Sequence, residues 1–373
     1  MKIRKMIFLT LFFLLILLPG CMRSIQLNER AIVQAVGLDW KDGEYALTLQ
    51  IFDPEAAEGD DTSGGKMLHV EGKTISEAMR NANLKQGQEI FWGHTKLIII
   101  GEQIARDGIE AVIDYFNADA QSRPNMDVLI ADGEAGEVLS EPLDSTILPV
   151  LSTKMMLEGY QDNGKLVRSQ LKGIAGSLEN PSVGAYLPLA AFSGDEKNPS
   201  IQIVGTAILS GGRITGTFSP EETRGILWAA GEVGKTQLTL EDSSLGVTTL
   251  DVVDSDVTVA AYIQDGAPFY QVSIRVKSNV SEELSPVRGL SLSERYDRYE
   301  EEQRQLVCRE TEHALERLFH ELSCDALGYA NILMQQQPEY WKANGEDYAA
   351  SLRNVQFSVT VDSTINRGGT TVS

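Results

Sequence analysis

Residues 31–52 read AIVQAVGLDWKDGEYALTLQIF, and this stretch sets the fold class. Ala31–Leu38 is apolar and rich in β-branched residues, a strand pattern. Tyr45–Phe52 alternates between apolar and polar in the same way. Between them lies Asp39-Trp40-Lys41-Asp42-Gly43, whose Asp-Gly pair suits the left-handed backbone of a tight hairpin turn. The chain thus opens its folded part with an antiparallel hairpin.

Working outward, Pro54–Lys66 is acidic and aperiodic, a loop, and Met67–Val70 is a third strand. Thr74 and Glu77 stand at capping-box spacing and start a helix through about Asn83. Lys96–Ile100 is a short apolar run of the kind that forms a buried strand. Glu102–Phe116 has helical spacing, and Met126–Ala131 is again a strand. Strands interleaved with helices predict a mixed sheet with helices packed on it. Leu148–Tyr160 reads as helical, Gly173–Pro188 as loop and Leu187–Phe192 as strand. The polar Ser193–Ser200 reads as a linker.

Beyond it, Ile203–Leu209 and Arg213–Phe218 flank Ser210-Gly211-Gly212, a second hairpin. Ser219-Pro220-Glu221-Glu222 supplies a cap, a first-turn proline and a glutamate at the third helical position. Strand patterns follow at Thr236–Leu240, Gly246–Val253, Thr258–Ile263 and Phe269–Val276. Ser291 and Glu294 open the longest helix, on which Tyr299, Leu306, Ala314, Leu318 and Leu322 recur at helical multiples. Leu327–Met334 is helical, Pro338 stops it, and Val355–Ile365 is a last strand. The expected fold is α+β, or mixed α/β, with several domains, each a mostly antiparallel mixed sheet with packed helices. The expected division is a signal peptide over 1–20, an N-terminal α/β region over 21–198 containing two subdomains, and a C-terminal α/β domain over 199–373 with its long helix near 291–322.

The first residues give an address. Lys2, Arg4 and Lys5 precede an apolar run from Met6 to Leu18 that is too short to span a bilayer core of roughly 30 Å. Leu18-Pro19-Gly20-Cys21 then places a thiol at a small-residue cleavage site. This resembles a bacterial lipobox, departing from it at Pro19, and implies a mature chain starting at an N-palmitoyl, S-diacylglyceryl Cys21. Two or more acyl chains anchor firmly where one does not.

The formal net charge is −21. Removing the three basic leader residues leaves 29 basic against 53 acidic residues, near −24. Such a surface repels polyphosphate, which argues against nucleic acid as a partner, and it also repels anionic head groups. The tether, rather than surface charge, would hold the protein at a membrane. Cys308 and Cys324 fall sixteen residues apart in helical pattern. On one helix they would be roughly 24 Å apart, so free thiols are expected.

Catalytic patterns are sparse. The histidines are His69, His94, His313 and His320, and no Gly-x-Ser-x-Gly elbow occurs. Ser169-Gln170-Leu171-Lys172 fits Ser-x-x-Lys without its companion motifs. His320 and Cys324 lie four apart, on one helix face, but lack a third metal ligand. Neither a Walker loop nor a Gly-x-Gly-x-x-Gly is present. No enzyme activity, metal or cofactor is expected. His94, between Phe91-Trp92 and a buried strand, reads first as a ring bonded to a backbone carbonyl. With Trp92 and Lys96 it is also the candidate partner contact.

Taken together, the residues resemble the Ger(x)C lipoproteins, the C subunits of spore germinant receptors. The matching pieces are Gly20-Cys21; Leu27-Asn28-Glu29-Arg30-Ala31-Ile32-Val33 with Gly37-Leu38-Asp39; and Gly93-His94-Thr95-Lys96 with Gly101-Glu102 and Ala105-Arg106. Later come Gly205-Thr206-Ala207, Gly216-Thr217, Glu221-Glu222-Thr223-Arg224-Gly225, Cys324-Asp325-Ala326-Leu327-Gly328 and Trp341-Lys342. Met22-Arg23-Ser24 departs from the usual Trp-Asp pair after the anchor. The resemblance implies three mixed α/β domains and no catalytic activity. It also implies a place on the outer face of the spore inner membrane, in complex with two integral-membrane subunits, A and B, that respond to nutrient germinants. A solute-binding lipoprotein, capturing a small molecule between two lobes, is the competing expectation.

Overall fold

The computed structural model describes residues 30–52, 65–139, 149–159, 164–193, 200–242, 246–284 and 290–366. Cys21, the rest of the leader and residues 54–64 of the acidic loop lie outside them. The described strands form two sheets, where the family resemblance implied three domains.

The first sheet begins with the hairpin. β1 (Arg30–Lys41) and β2 (Glu44–Phe52) pair antiparallel, with Lys41 opposite Glu44. Asp42 and Gly43 take φ of 50° and 86°, the doubly left-handed turn that the Asp-Gly pair predicts. β3 (Gly65–Gly72) adds to β2. Helix α1 (Ile75–Gln86) follows, capped by Thr74 Oγ1, which accepts the Glu77 N–H; the Glu77 carboxylate reaches back to the Lys73 N–H. β4 (Glu89–Phe91) and β5 (Leu97–Ile100) both run parallel to β1.

The continuous helix expected over Glu102–Phe116 is two helices, α2 (Glu102–Asp107) and α3 (Glu110–Ala118). Gly108 breaks them with φ 134°, a conformation that a helix cannot contain. β6 (Asp127–Ala131), α4 (Ala135–Leu139) and α5 (Pro149–Glu158) come next.

The stretch from Gly173, read as loop, instead lies largely within α6 (Leu171–Glu179) and β7 (Ala185–Ser193). Leu171 and Ile174 bury on one helix face, and that burial outweighs the helix cost of Gly173 and Gly176. β7 pairs antiparallel with β8 (Ser200–Ser210), and Ser193 is opposite Ser200. Residues 194–199, where the linker and the division at residue 198 are expected, lie outside the described residues, and the strands on either side of them pair in one sheet. β9 (Arg213–Phe218) completes the order β3-β2-β1-β5-β6-β7-β8-β9. Val36, Leu38, Ile98, Ile100, Val128 and Ile130 belong to one core, which includes residues of α1, α3 and α6. Ala35, Leu97, Ile99, Leu129 and Ala131 form another with α4 and α5.

Helix α7 (Pro220–Ala230) starts at a full capping box of Ser219 and Glu222 and leads to the second sheet. That sheet runs β10 (Thr236–Asp242), β11 (Gly246–Gln264), β12 (Ala267–Leu284), β13 (Gln356–Ile365). The two strands expected over 246–263 are one, carried past Asp254 by a shift in register. Helix α8 (Leu292–Leu315) has the Ser291–Glu294 capping box and ends in a π-helical turn, Glu316–Glu321. α9 (Tyr329–Gln336), α10 (Pro338–Asn344) and α11 (Tyr348–Ser351) follow. Pro338 opens α10 at its first position, where its missing N–H costs nothing.

The outer strands are met by side chains. Asn81 and Lys85 donate to the carbonyls of Glu71 and His69 on β3 at 2.8 Å each. Arg317 donates to the Thr217 carbonyl on β9 at 3.0 Å. On the inner strand β11, past the end of its pairing with β10, Gln336 and Gln337 satisfy the Ala261 N–H and carbonyl. Glu300 accepts the Ile365 N–H on β13 at 3.0 Å.

Candidate functional site

The candidate contact residues separate on folding. Trp92 is 5% exposed and packs edge-on against Phe116 at 5.9 Å, so it is a core residue. His94 is exposed in a turn closed by the Thr95 N–H on the Trp92 carbonyl, with its ring 5.9 Å from Phe91. The carbonyl bond expected for its ring is not among the described hydrogen bonds. Lys96 is half-buried, and its main chain is held by Gln34 and Asp127. Of the three, His94 is the one the fold leaves open to a partner.

At the carboxyl end of β1, Asp39 is buried and accepts the N–H groups of Ala135 and Gly136, at 2.8 and 2.9 Å. Burial raises its carboxyl above the usual range and nearby Glu134 adds to this, against the pull of the two N–H bonds. Asp39 therefore ties β1 to the segment after β6. Beside it a cavity of about 600 Å³ is lined by Asp39, Lys41, Thr48, His69, Asn81 and Glu134. His69 Nδ1 lies 3.1 Å from Thr48 Oγ1, but among the described residues no carboxylate bonds to its ring. A nucleophile-base pair without an orienting group is a weak basis for catalysis.

The motif residues of the second half converge where the two sheets meet. Thr206 on β8 and Thr223 on α7 share a hydroxyl bond of 2.8 Å. Arg224 forms a two-pronged pair with Glu310 of α8, Nε to Oε2 at 2.9 Å, and Trp228 Nε1 donates to the same carboxylate at 3.1 Å. Gly225 lets the helices approach: a Cβ there would run into the Glu310 carbonyl. The Cys324 thiol donates to the Leu209 carbonyl at 3.4 Å, and the Asp325 carbonyl accepts the Gly184 N–H at 2.9 Å. Both bonds tie the second half to the first sheet.

Cys308 and Cys324 are free thiols, and Cys324 is buried. Burial pushes the Cys324 thiol up to about 12, so it stays protonated. His320 Nε2 bonds the Val355 carbonyl at 2.8 Å and Nδ1 pairs with Glu316 at 2.8 Å. His320 and Cys324 are thus each committed elsewhere, and among the described residues no group of three or more potential metal ligands gathers.

Residues 23–191 match the family described as "Spore germination protein N-terminal domain", and residues 204–369 match "Spore germination B3/ GerAC like, C-terminal". The chain belongs to the GerAC-like spore germination family. Among relatives of this family, spore germination protein KC of Bacillus subtilis (strain 168) is 24% identical over 98% of this chain and 97% of its own length. Spore germination protein B3 of the same organism is 24% identical over 90% of each chain. The crystal structure of the GerBC protein superposes with a TM-score of 0.60 at 19% identity, covering 88% of this chain and 96% of that one, which shows a shared fold.

The sequence did not assign roles to Asp39, Glu310 and Asp325. For Asp325 a local signal existed: an acceptor side chain shortly before the helix that begins at Tyr329. Glu310 carried none, because its partners lie more than eighty positions away.

Proposed function

We propose that the chain is the membrane-tethered C subunit of a spore germinant receptor, a scaffold or coupling protein required for nutrient-triggered germination. Acylated Cys21 holds it on the outer face of the spore inner membrane, and integral-membrane A and B subunits are its partners. The observation that carries this reading is the placement of the family motifs. Asp39, Arg224, Gly225, Cys324 and Asp325 are bonded to or packed against their own chain at joints of the fold. Groups that spend their bonds and packing on their own chain maintain a shape, and a shape is what a coupling subunit presents. Relatives named as spore germination proteins supply the process. No helix among the described residues is long and apolar enough to cross a membrane.

Two measurements test this. A photo-cross-linking residue in place of the exposed His94 should form an adduct with an integral-membrane receptor subunit in intact spores. With the protein abundant, absence of any adduct there or at other surface positions would remove the receptor role. Cys21→Ala should yield a folded protein released from the membrane and impaired germination; full membrane retention would show that the partners, and not the lipid, hold it.

A further inference from the structure

Asp325 is buried, and the groups bonded to its carboxyl, the N–H groups of Gly328, Tyr329 and Ala330 and the Tyr348 hydroxyl, are uncharged. The N–H groups of Tyr329 and Ala330, at the start of α9, donate to it at 2.9 and 2.6 Å. The Tyr348 hydroxyl of α11 lies 3.2 Å away. Tyr348 in turn lies 3.0 Å from the Tyr270 hydroxyl of β12, and Tyr270 lies 3.3 Å from the Tyr329 carbonyl. The other titratable groups bearing on this cluster are the Tyr329 hydroxyl, which donates to the Ala229 carbonyl at 2.9 Å, the neighbouring Cys324 thiol, and Tyr340 beside Tyr270. Arg353 stays at the exposed margin, bonded to Ser323 Oγ at 2.8 Å.

We propose that Asp325 is a proton switch built into the joint, and that the Tyr348–Tyr270 hydroxyl relay reverses direction when it loads. The relay accommodates both states. When Asp325 is ionised, Tyr348 donates to the carboxylate and Tyr270 donates to Tyr348 or to the Tyr329 carbonyl. When a proton is taken from water onto Asp325, its O–H donates to Tyr348, Tyr348 donates to Tyr270, and Tyr270 donates to the Tyr329 carbonyl. That chain ends on a pure acceptor and leaves no hydroxyl facing another donor. No other bond forms or breaks. The same residue's main chain accepts the Gly184 N–H, so the load on this carboxyl falls on the clip to the first sheet.

The linkage has a definite sign. Burial raises the Asp325 carboxyl from 3.8 to about 6, a raised folded value. Its stabilising contribution is complete below pH ~4 and is lost as pH rises through about 6. From the two values, the folding equilibrium loses about two orders of magnitude over that window.

The test is selective carbon-13 labelling of aspartate carboxyls in the purified full chain, titrated by nuclear magnetic resonance, with Asp325→Asn to assign the signal. The expected result is a carboxyl titrating near pH 6 that is absent from Asp325→Asn. It should titrate lower in Tyr270→Phe, which removes the acceptor the loaded relay needs. Should Asp325→Asn fail to fold, the signal displaced in Tyr270→Phe identifies the group. A purely structural Tyr270 would lower stability equally at all pH and leave the titration unmoved. An Asp325 that titrates in the ordinary carboxylate range, or a titration unchanged by Tyr270→Phe, overturns the proposal.

Discussion

The Arg224–Glu310 pair offers the most direct measure of what holds α7 against α8. Its side chains are 11% and 17% exposed, so the pair is largely withdrawn from water and retains most of its attraction. Replacing Arg224 with Ala leaves the Glu310 carboxylate beneath α7 with the Trp228 N–H at 3.1 Å and little else. Stranding one member of a buried pair typically costs about 3–5 kcal/mol. The remaining tryptophan bond and the residual exposure of Glu310 place the expected loss at the lower end, about 3 kcal/mol. Glu310→Ala leaves the guanidinium with a long contact of 3.4 Å to the Gln237 carbonyl and the attraction of Glu221, and should cost less than the Arg224 variant. Because each single variant already forfeits the shared interaction, the double variant should lose far less than the sum, with a coupling energy of about 2–3 kcal/mol. Urea unfolding followed by circular dichroism, on the wild type, both singles and the double, gives all four corners of the cycle. Additive losses, with coupling below about 0.5 kcal/mol, would refute the view that this pair bolts α7 to α8.

Other consequences are narrower. Gly225→Ala should gain about 1 kcal/mol of helix propensity yet lose overall, since its methyl meets the Glu310 carbonyl and Ala314; overpacking of this kind costs about 1–3 kcal/mol, read as a lower melting temperature. Asp39→Asn keeps one acceptor for the Ala135 and Gly136 N–H groups and turns a donor toward the other, a loss of about 1–3 kcal/mol measurable in the same unfolding assay. For His320, burial opposes the charged ring, but the Val355 carbonyl and Glu316 carboxylate outweigh it and raise its folded value. Its contribution is therefore full below the unfolded value of about 6.5 and is lost as pH rises through the folded one. Wild type should lose stability relative to His320→Gln as pH climbs above about 6.5; parallel curves would rule this out.

Much of this architecture is written locally. The Asp42-Gly43 turn, the capping boxes at Ser219 and Ser291, and the apolar run Leu97–Ile100 each place an element through interactions within a few residues, which is why they are legible in the sequence. What escaped is what distant residues decide. α6 carries two glycines and reads as loop until Leu171 and Ile174 find the first sheet's core. β11 reads as two strands because Asp254 and Ser255 interrupt its pattern, whereas pairing along β12 carries it across. Trp92 reads as a core anchor first and a partner contact second, and the turn sends it inward while His94 faces outward. The joint itself was invisible: Cys324 meets Leu209 across 115 positions, and Arg224 meets Glu310 across 86. Nothing in either neighbourhood announces the other.

The side chains that meet the outer strands bear on how such a protein keeps company. Under the proposed tether, copies of the chain would meet at high local concentration, and a bare strand edge invites edge-to-edge zipping into insoluble stacks. Here Lys85 and Asn81 at one border, and Glu300 at another, occupy backbone groups that an incoming strand would need. Recruitment by strand addition is accordingly disfavoured at those borders. A binding partner has to recognise side chains and contour instead, which makes association a matter of sequence identity and lets copies crowd without merging.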